Sequence, residues 1–252
     1  MELENNIVKK DIRLVALDMD GTLLNEDQEI SQANREAITK ARENGIHVVL
    51  STGRPFIHVE DYARSLELNS FIITVNGGEI WDSNGNLLER NLLTVEEIKM
   101  MWNLKNLHQT NFWALTVDKV FREDFPEETA LNQHQWLKFG FDVDDDDVRN
   151  TIIEELNKRK LQVTNSSPTN LEVNPYGISK ANALEKVCKR IGITMDNVMA
   201  VGDSLNDIAM IEGAGLGVAM GNAQETVKKA ADWVTSTNNE DGVAKAIVQW
   251  VL

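Results

Sequence analysis

Four short stretches of this chain are nearly continuous apolar runs, each cut off by a polar residue or a glycine. They lie at 12–17, 46–50, 71–75 and 198–201, and Val and Ile recur in them. A strand wet on one face alternates polar with apolar residues, whereas a strand covered on both faces reads as an unbroken apolar run. The pattern therefore calls for a sheet buried on both sides. Between the first two runs, Ala33, Ala37, Ile38 and Ala41 recur at helical spacing, with Ser31 placed to cap the helix and Gly45 just past its end. That is strand–helix–strand, and the same alternation returns between Lys180 and Ala231, with weaker strands at 217–219 and 233–234. The predicted fold is α/β, a doubly wound parallel-sheet (Rossmann-like) core.

The middle of the chain obeys a different rule. Paired or alternating strand patterns at 87–92, 112–117, 119–121, 161–163 and 170–173 are interrupted by two helical stretches, 95–108 and 148–159. The spacing predicts an inserted α+β cap domain over 82–174, with 1–81 and 175–252 forming the core domain. An insert that leaves at the carboxyl end of a core strand sits over the crevice where open α/β sheets bind ligands.

Polar residues of four types end or succeed the core strands. Asp18-Met19-Asp20-Gly21-Thr22 comes directly after the first run, and Gly21 permits a sharp turn that lets both acids reach one crevice. Two carboxylates so close are costly without a cation, and oxygen-only ligands suit Mg²⁺. Taken alone, the pair reads equally well as turn formers ending a strand. Gly202-Asp203-Ser204-Leu205-Asn206-Asp207 comes after the fourth run and opens a helix, where N–H groups face an anion. N-capping explains one of these polar residues but not four. Ser51-Thr52-Gly53-Arg54 offers a hydroxyl and backbone N–H groups around a glycine, a nest of phosphate size, although an ordinary loop has the same composition. Lys180 stands at a helix start, where its charge opposes the dipole unless an anion is near.

Together, Asp18/Asp20, Thr52-Gly53, Lys180 and Asp203 through Asp207 resemble the ordered motif set of the haloacid-dehalogenase-like phosphatases, specifically the Cof-type sugar-phosphatase branch. The segment 217–223 is similar to the stretch just after the last motif in that branch. The resemblance implies a Mg²⁺-dependent phosphatase of small phosphorylated metabolites, sugar phosphates above all. It makes Asp18 the nucleophile that forms an aspartyl-phosphate, and Asp20 the acid and then the base. Asp18, Asp203 and the Asp20 carbonyl would hold the metal, supported by Ser204 or Asp207. The Met19 N–H, Thr52, Gly53, Lys180 and Asn206 would cradle the phosphoryl oxygens. Chemistry asks for such a division of labour: hydrolysing a phosphate monoester can require up to ~10²¹-fold acceleration, and one acid–base group supplies only ~10²–10⁴.

Composition narrows the partners. Lys and Arg number 25 against 40 Asp and Glu, a formal charge of −15, with no basic stripe for nucleic acid. The single cysteine, Cys188, reads as a buried inert thiol, and the four histidines share no zinc spacing. Asp144 to Asp147 lack the spaced ligands of a calcium loop and read as acids opening a helix. No run reaches the ~20 apolar residues of a membrane span, and the polar, acidic start is unlike a secretory leader. A cytoplasmic protein with a small-molecule phosphorylated substrate is expected. Two other readings share these residues: a phosphomutase, and a receiver-like signalling domain that stores a phosphoryl group on Asp. Asp20 favours turnover, since it supplies the acid and base that a storage device lacks.

Overall fold

The computed structural model describes residues 10–252. β1 (Leu14–Leu17) is buried throughout, with Val15 and Leu17 packed in one apolar cluster and Leu14 and Ala16 in another. Both faces are thus covered, which is why the run carries no alternation. α1 (Gln32–Glu43) begins where the Ser31 hydroxyl accepts the Asn34 N–H at 3.2 Å. β2 (His47–Ser51), α2 (Glu60–Ser65) and β3 (Ile72–Thr74) come next. The chain then reverses through β4 (Glu79–Trp81) and β5 (Leu87–Arg90), both antiparallel to their neighbours.

That last pairing differs from the expected boundary at 82. The Asp82 carboxylate accepts the N–H groups of Asn84 and Asn86, closing a tight turn. The turn sends β5 back along β4, so the chain leaves the large sheet only after Arg90.

The second layer starts with α3 (Val95–His108), then β6 (Asn111–Thr116), β7 (Val120–Phe121), β8 (Trp136–Asp142), α4 (Asp146–Lys158), β9 (Gln162–Thr164) and β10 (Asn170–Asn174). These strands form a separate antiparallel sheet in the order β7-β6-β8-β10-β9. Ile98, Met101, Ile152 and Leu156 of the two helices seal one face against Phe112, Phe139, Phe141 and Leu171. The Asp145 carboxylate caps α4, so the acidic run at 144–147 opens a helix, as expected. Cross-strand register puts Trp113, Gly140 and Glu172 in one row on the opposite face.

The chain then returns to the large sheet with α5 (Lys180–Ile191), β11 (Val198–Gly202), α6 (Ile208–Gly213), β12 (Leu216–Ala219), α7 (Glu225–Ala230), β13 (Trp233–Val234) and α8 (Gly242–Trp250). The large sheet runs β13-β12-β11-β1-β2-β3-β4-β5, parallel from β13 to β3. Helices α1 and α8 cover one face and α5 the other. This is the doubly wound core with an inserted antiparallel layer. Cys188 is buried on α5, and burial pushes its thiol up to about 11, away from the thiolate form. No helix among the described residues is long and apolar enough to cross a membrane.

Candidate active site

β1 and β11 are adjacent parallel strands, with Leu17 opposite Val201. Their carboxyl ends therefore deliver Asp18 and Asp203 side by side. Gly21 adopts φ +75° in the turn after β1, and a Cβ there would lie 2.5 Å from an Asp203 carboxylate oxygen. Only glycine fits between the two acidic loops. The Thr22 hydroxyl donates to Asp203 at 3.2 Å and the Ser204 hydroxyl donates to it at 3.1 Å. Asn222, in the segment after β12, donates to the Gly21 carbonyl at 2.8 Å, tying the tail to the same turn.

Asp18, Asp203 and Asp207 bring carboxylate oxygens within 4.8 Å of one another. Lys180, wholly buried at the start of α5, donates to Asp18 Oδ1 and to Asp207 Oδ1, each at 2.6 Å. Asp207 Oδ2 accepts the N–H groups of Asp203 at 3.0 Å and Ser204 at 3.1 Å. Both oxygens of Asp207 are thus engaged. It anchors the lysine and the loop at once.

The electrostatics derive from burial. Burial raises the Asp18 carboxyl well above its usual range; Lys180 opposes this, while Asp207 and Asp203 add to it. Asp203 rises to about 6, first from burial and then from Asp207. Burial would push the Lys180 ammonium down, yet contact with Asp18 and Asp207 leaves it raised. One lysine among two buried carboxylates and a half-buried third leaves an excess of negative charge. Hard oxygen donors with such an excess fit a small divalent cation.

The remaining residues singled out by sequence divide between the cleft and positions adjoining it in the chain. Asp18, Asp20, Gly53, Asp203, Ser204 and Asn206 line a cleft of about 420 Å³. Thr52, next to Gly53, is 1% exposed, with its Oγ1 accepting the Arg54 N–H at 3.2 Å. The Met19 side chain is buried in the core, so only its backbone is left to face a ligand. Asp20 is half exposed and sits in a fork from Arg54, whose Nε and Nη2 donate at 2.8 and 2.5 Å. Gln28 also accepts from that guanidinium.

Gly21 also lines the cleft, and so do Arg54, Lys138, Ser166 and Glu172, four residues not singled out from sequence. Arg54 had a local signal, a charge next to Thr52-Gly53. Lys138 and Glu172 had a subtler one: each is a single charge inside an apolar stretch, in Trp136-Leu137-Lys138-Phe139 and Leu171-Glu172-Val173. Asn76 is buried beside the cleft, its side chain bonded to Glu172 and Asn206. It comes after Val75 in a turn where both residues have positive φ, 55° and 56°. Such a conformation costs about 1–3 kcal/mol per residue and is kept only where the surroundings hold it.

Known proteins resemble this chain in sequence and fold. Two overlapping stretches, 15–152 and 121–247, match the family model of haloacid dehalogenase-like hydrolases. The chain belongs to that family. The 5-amino-6-(5-phospho-D-ribitylamino)uracil phosphatase YcsE of Bacillus subtilis is 63% identical over 96% of this chain and 97% of its own length. Phosphatase YwpJ of Bacillus subtilis is 31% identical over 92% and 98%. A solved haloacid dehalogenase-like hydrolase from Bacteroides thetaiotaomicron superposes with a TM-score of 0.77 at 36% identity, covering 94% of this chain and 99% of that one. This haloacid dehalogenase-like protein is a phosphatase, a phosphoric monoester hydrolase acting on phosphorylated substrates.

Proposed function

We propose that the protein is a Mg²⁺-dependent phosphatase of small sugar or sugar-alcohol phosphates and works through an aspartyl-phosphate on Asp18. The observation that carries this is the convergence of Asp18 and the half-buried Asp203, from the carboxyl ends of two adjacent parallel strands, with the buried Asp207 and Lys180. Asp18, Asp203 and the Asp20 carbonyl would hold the metal, with Ser204 and Asp207 fixing the loop around it. When bound, Mg²⁺ neutralises charge on the phosphoryl oxygens and lowers the raised carboxyls of Asp18 and Asp203.

The residues divide the reaction between them. The Asp18 carboxylate attacks phosphorus, and the bond to the leaving oxygen breaks. Asp20 gives its proton to that oxygen. In the second half, Asp20 takes a proton from water as the water oxygen attacks phosphorus, releasing inorganic phosphate and restoring Asp18. The Arg54 fork engages both carboxylate oxygens of Asp20, so reaching the leaving oxygen requires Asp20 to turn out of the fork. Lys180, Thr52, Asn206 and the backbone N–H groups of Met19 and Gly53 serve the equatorial oxygens. The smaller sheet acts as a lid that excludes water during transfer.

The substrate class leans on the 63% identical relative, whose name specifies a phosphorylated ribityl chain on an aminouracil. A phosphate at the end of a polyol chain suits a cleft with an acidic floor that would hold the metal and a polar roof at Ser166 and Glu172. Phosphate release across sugar, sugar-alcohol, nucleotide and cofactor phosphates, with and without Mg²⁺, tests the reading. Free phosphate from polyol phosphates only when Mg²⁺ is present supports it. Isomerised sugar phosphate without free phosphate, or a phosphoenzyme lasting many minutes, contradicts it.

A further inference from the structure

Lys138 lies 3% exposed on β8 of the smaller sheet, yet it reaches across to the larger one. Its Nζ donates to the Gly53 carbonyl at 3.0 Å and to Glu172 Oε2 at 2.8 Å. Glu172, on β10, also accepts the Asn76 side-chain N–H at 2.6 Å and the Ser166 hydroxyl at 2.7 Å. Asn76 Oδ1 in turn accepts from Asn206 at 3.3 Å. One buried ion pair thus links the lid to two loops that edge the catalytic cleft. A buried pair carries a large desolvation cost, and replacing both members is often neutral for stability, so the pair calls for another reason to be there.

The Gly53 peptide supplies that reason. In a trans peptide the Gly53 C=O and the Arg54 N–H point opposite ways. With the carbonyl held by Lys138, the Arg54 N–H is directed at Thr52 Oγ1. A hydroxyl that already accepts one bond has its own hydrogen left to donate. We propose that Lys138 and Glu172 are positioning residues that dock the smaller sheet on the Gly53 peptide and so aim the Thr52 hydroxyl at the phosphoryl group. The site is then fully assembled only when the lid is down.

This rests on reading Thr52-Gly53 as the phosphate loop, and the experiment separates the two. The full chain with Mg²⁺ is assayed on a small aryl phosphate and on a bulky polyol phosphate, with inorganic phosphate as competitive inhibitor. Lys138→Met/Glu172→Gln removes both charges together and is expected to melt near the parent. It should lower kcat/KM by ~10²-fold on both substrates, the scale of an ångström-sized misplacement, and weaken inhibition by phosphate about tenfold. Lys138→Arg should recover most of the loss, since a cation again reaches the Gly53 carbonyl. Aryl phosphate turnover and phosphate inhibition unchanged in the folded double variant would overturn the proposal. So would a loss confined to the bulky substrate, which marks Lys138 as a reader of the leaving group. If the double variant does not fold, Glu172→Gln alone decides by the same inhibition constant. Thr52→Val should weaken phosphate inhibition; if it does not, the loop assignment fails and the proposal with it. If Thr52→Val weakens inhibition and the Lys138 variants do not, only the positioning role fails.

Discussion

Lys180 is the residue on which the buried charges balance. It touches two of the three carboxylates at 2.6 Å and is fully enclosed. Removing one partner of a buried ion cluster leaves uncompensated charge and costs roughly 3–5 kcal/mol. Lys180→Met is expected to lose about that much in denaturant unfolding without metal, and to regain part of it when Mg²⁺ is added. Glu172 makes a pH statement. Burial alone would raise its carboxyl, but Lys138, Ser166 and Asn76 hold it at about 2 against an ordinary 4.5. Because the folded value is depressed, the stabilisation is complete above pH ~4.5 and is lost as pH falls toward 2. The difference amounts to roughly 3 kcal/mol. Unfolding free energies of the parent and Glu172→Gln should therefore converge as pH falls from about 4.5 toward 2; a constant gap over that window would contradict the pairing.

The core strands were legible because burial on both faces removes alternation, and Leu14–Leu17 and Val198–Gly202 show it plainly. The central strand of the smaller sheet, Trp136–Asp142, was not. Lys138 and Gly140 break its apolar run, and both are there for reasons outside the strand: Lys138 reaches Gly53, while Gly140 lies under Trp113, whose ring leaves no room for a Cβ. Propensity cannot anticipate a partner 85 residues away. For the same reason Lys138 and Glu172 escaped notice as site residues, while Asp18, Asp203 and Asp207, clustered at strand ends, did not. Close approach also explains Gly202 at the end of β11. A Cβ there would fall 2.4 Å from the Asp207 carboxyl carbon. Gly202→Ala should displace Asp207 from Lys180 and reduce kcat by ~10²-fold or more, with near-parental far-UV circular dichroism. Unchanged turnover would show that the Asp207–Lys180 contact is dispensable.

Across the whole molecule, −15 of formal charge surrounds a site built to receive an anion. Lys180 alone cannot reverse that field, and burial first, then the neighbouring carboxylates, raise the carboxyls of Asp18 and Asp203. A cation held there competes with protons, so its stabilising effect should grow as pH rises. The shifts set the sign. A carboxyl raised on folding contributes stability that is present below its unfolded value and lost as pH rises through its folded one, which for Asp203 is about 6. Mg²⁺ at ~100 times its dissociation constant should add about 2.7 kcal/mol at pH 8 and clearly less at pH 5, reversed by EDTA. Asp203→Asn should remove most of the effect; a shift of equal size in that variant would place the ion elsewhere.

The sharpest test is chemical. Acid-quenching the enzyme during turnover of a ³²P-labelled phosphomonoester, with peptide mapping afterwards, reports where the phosphoryl group rests. The expected result is an acid-stable, base-labile label on the peptide containing Asp18, absent from Asp18→Asn, with that variant releasing no phosphate. Label on a different residue, or an Asp18→Asn enzyme that still turns over at the parental rate, would contradict the covalent route.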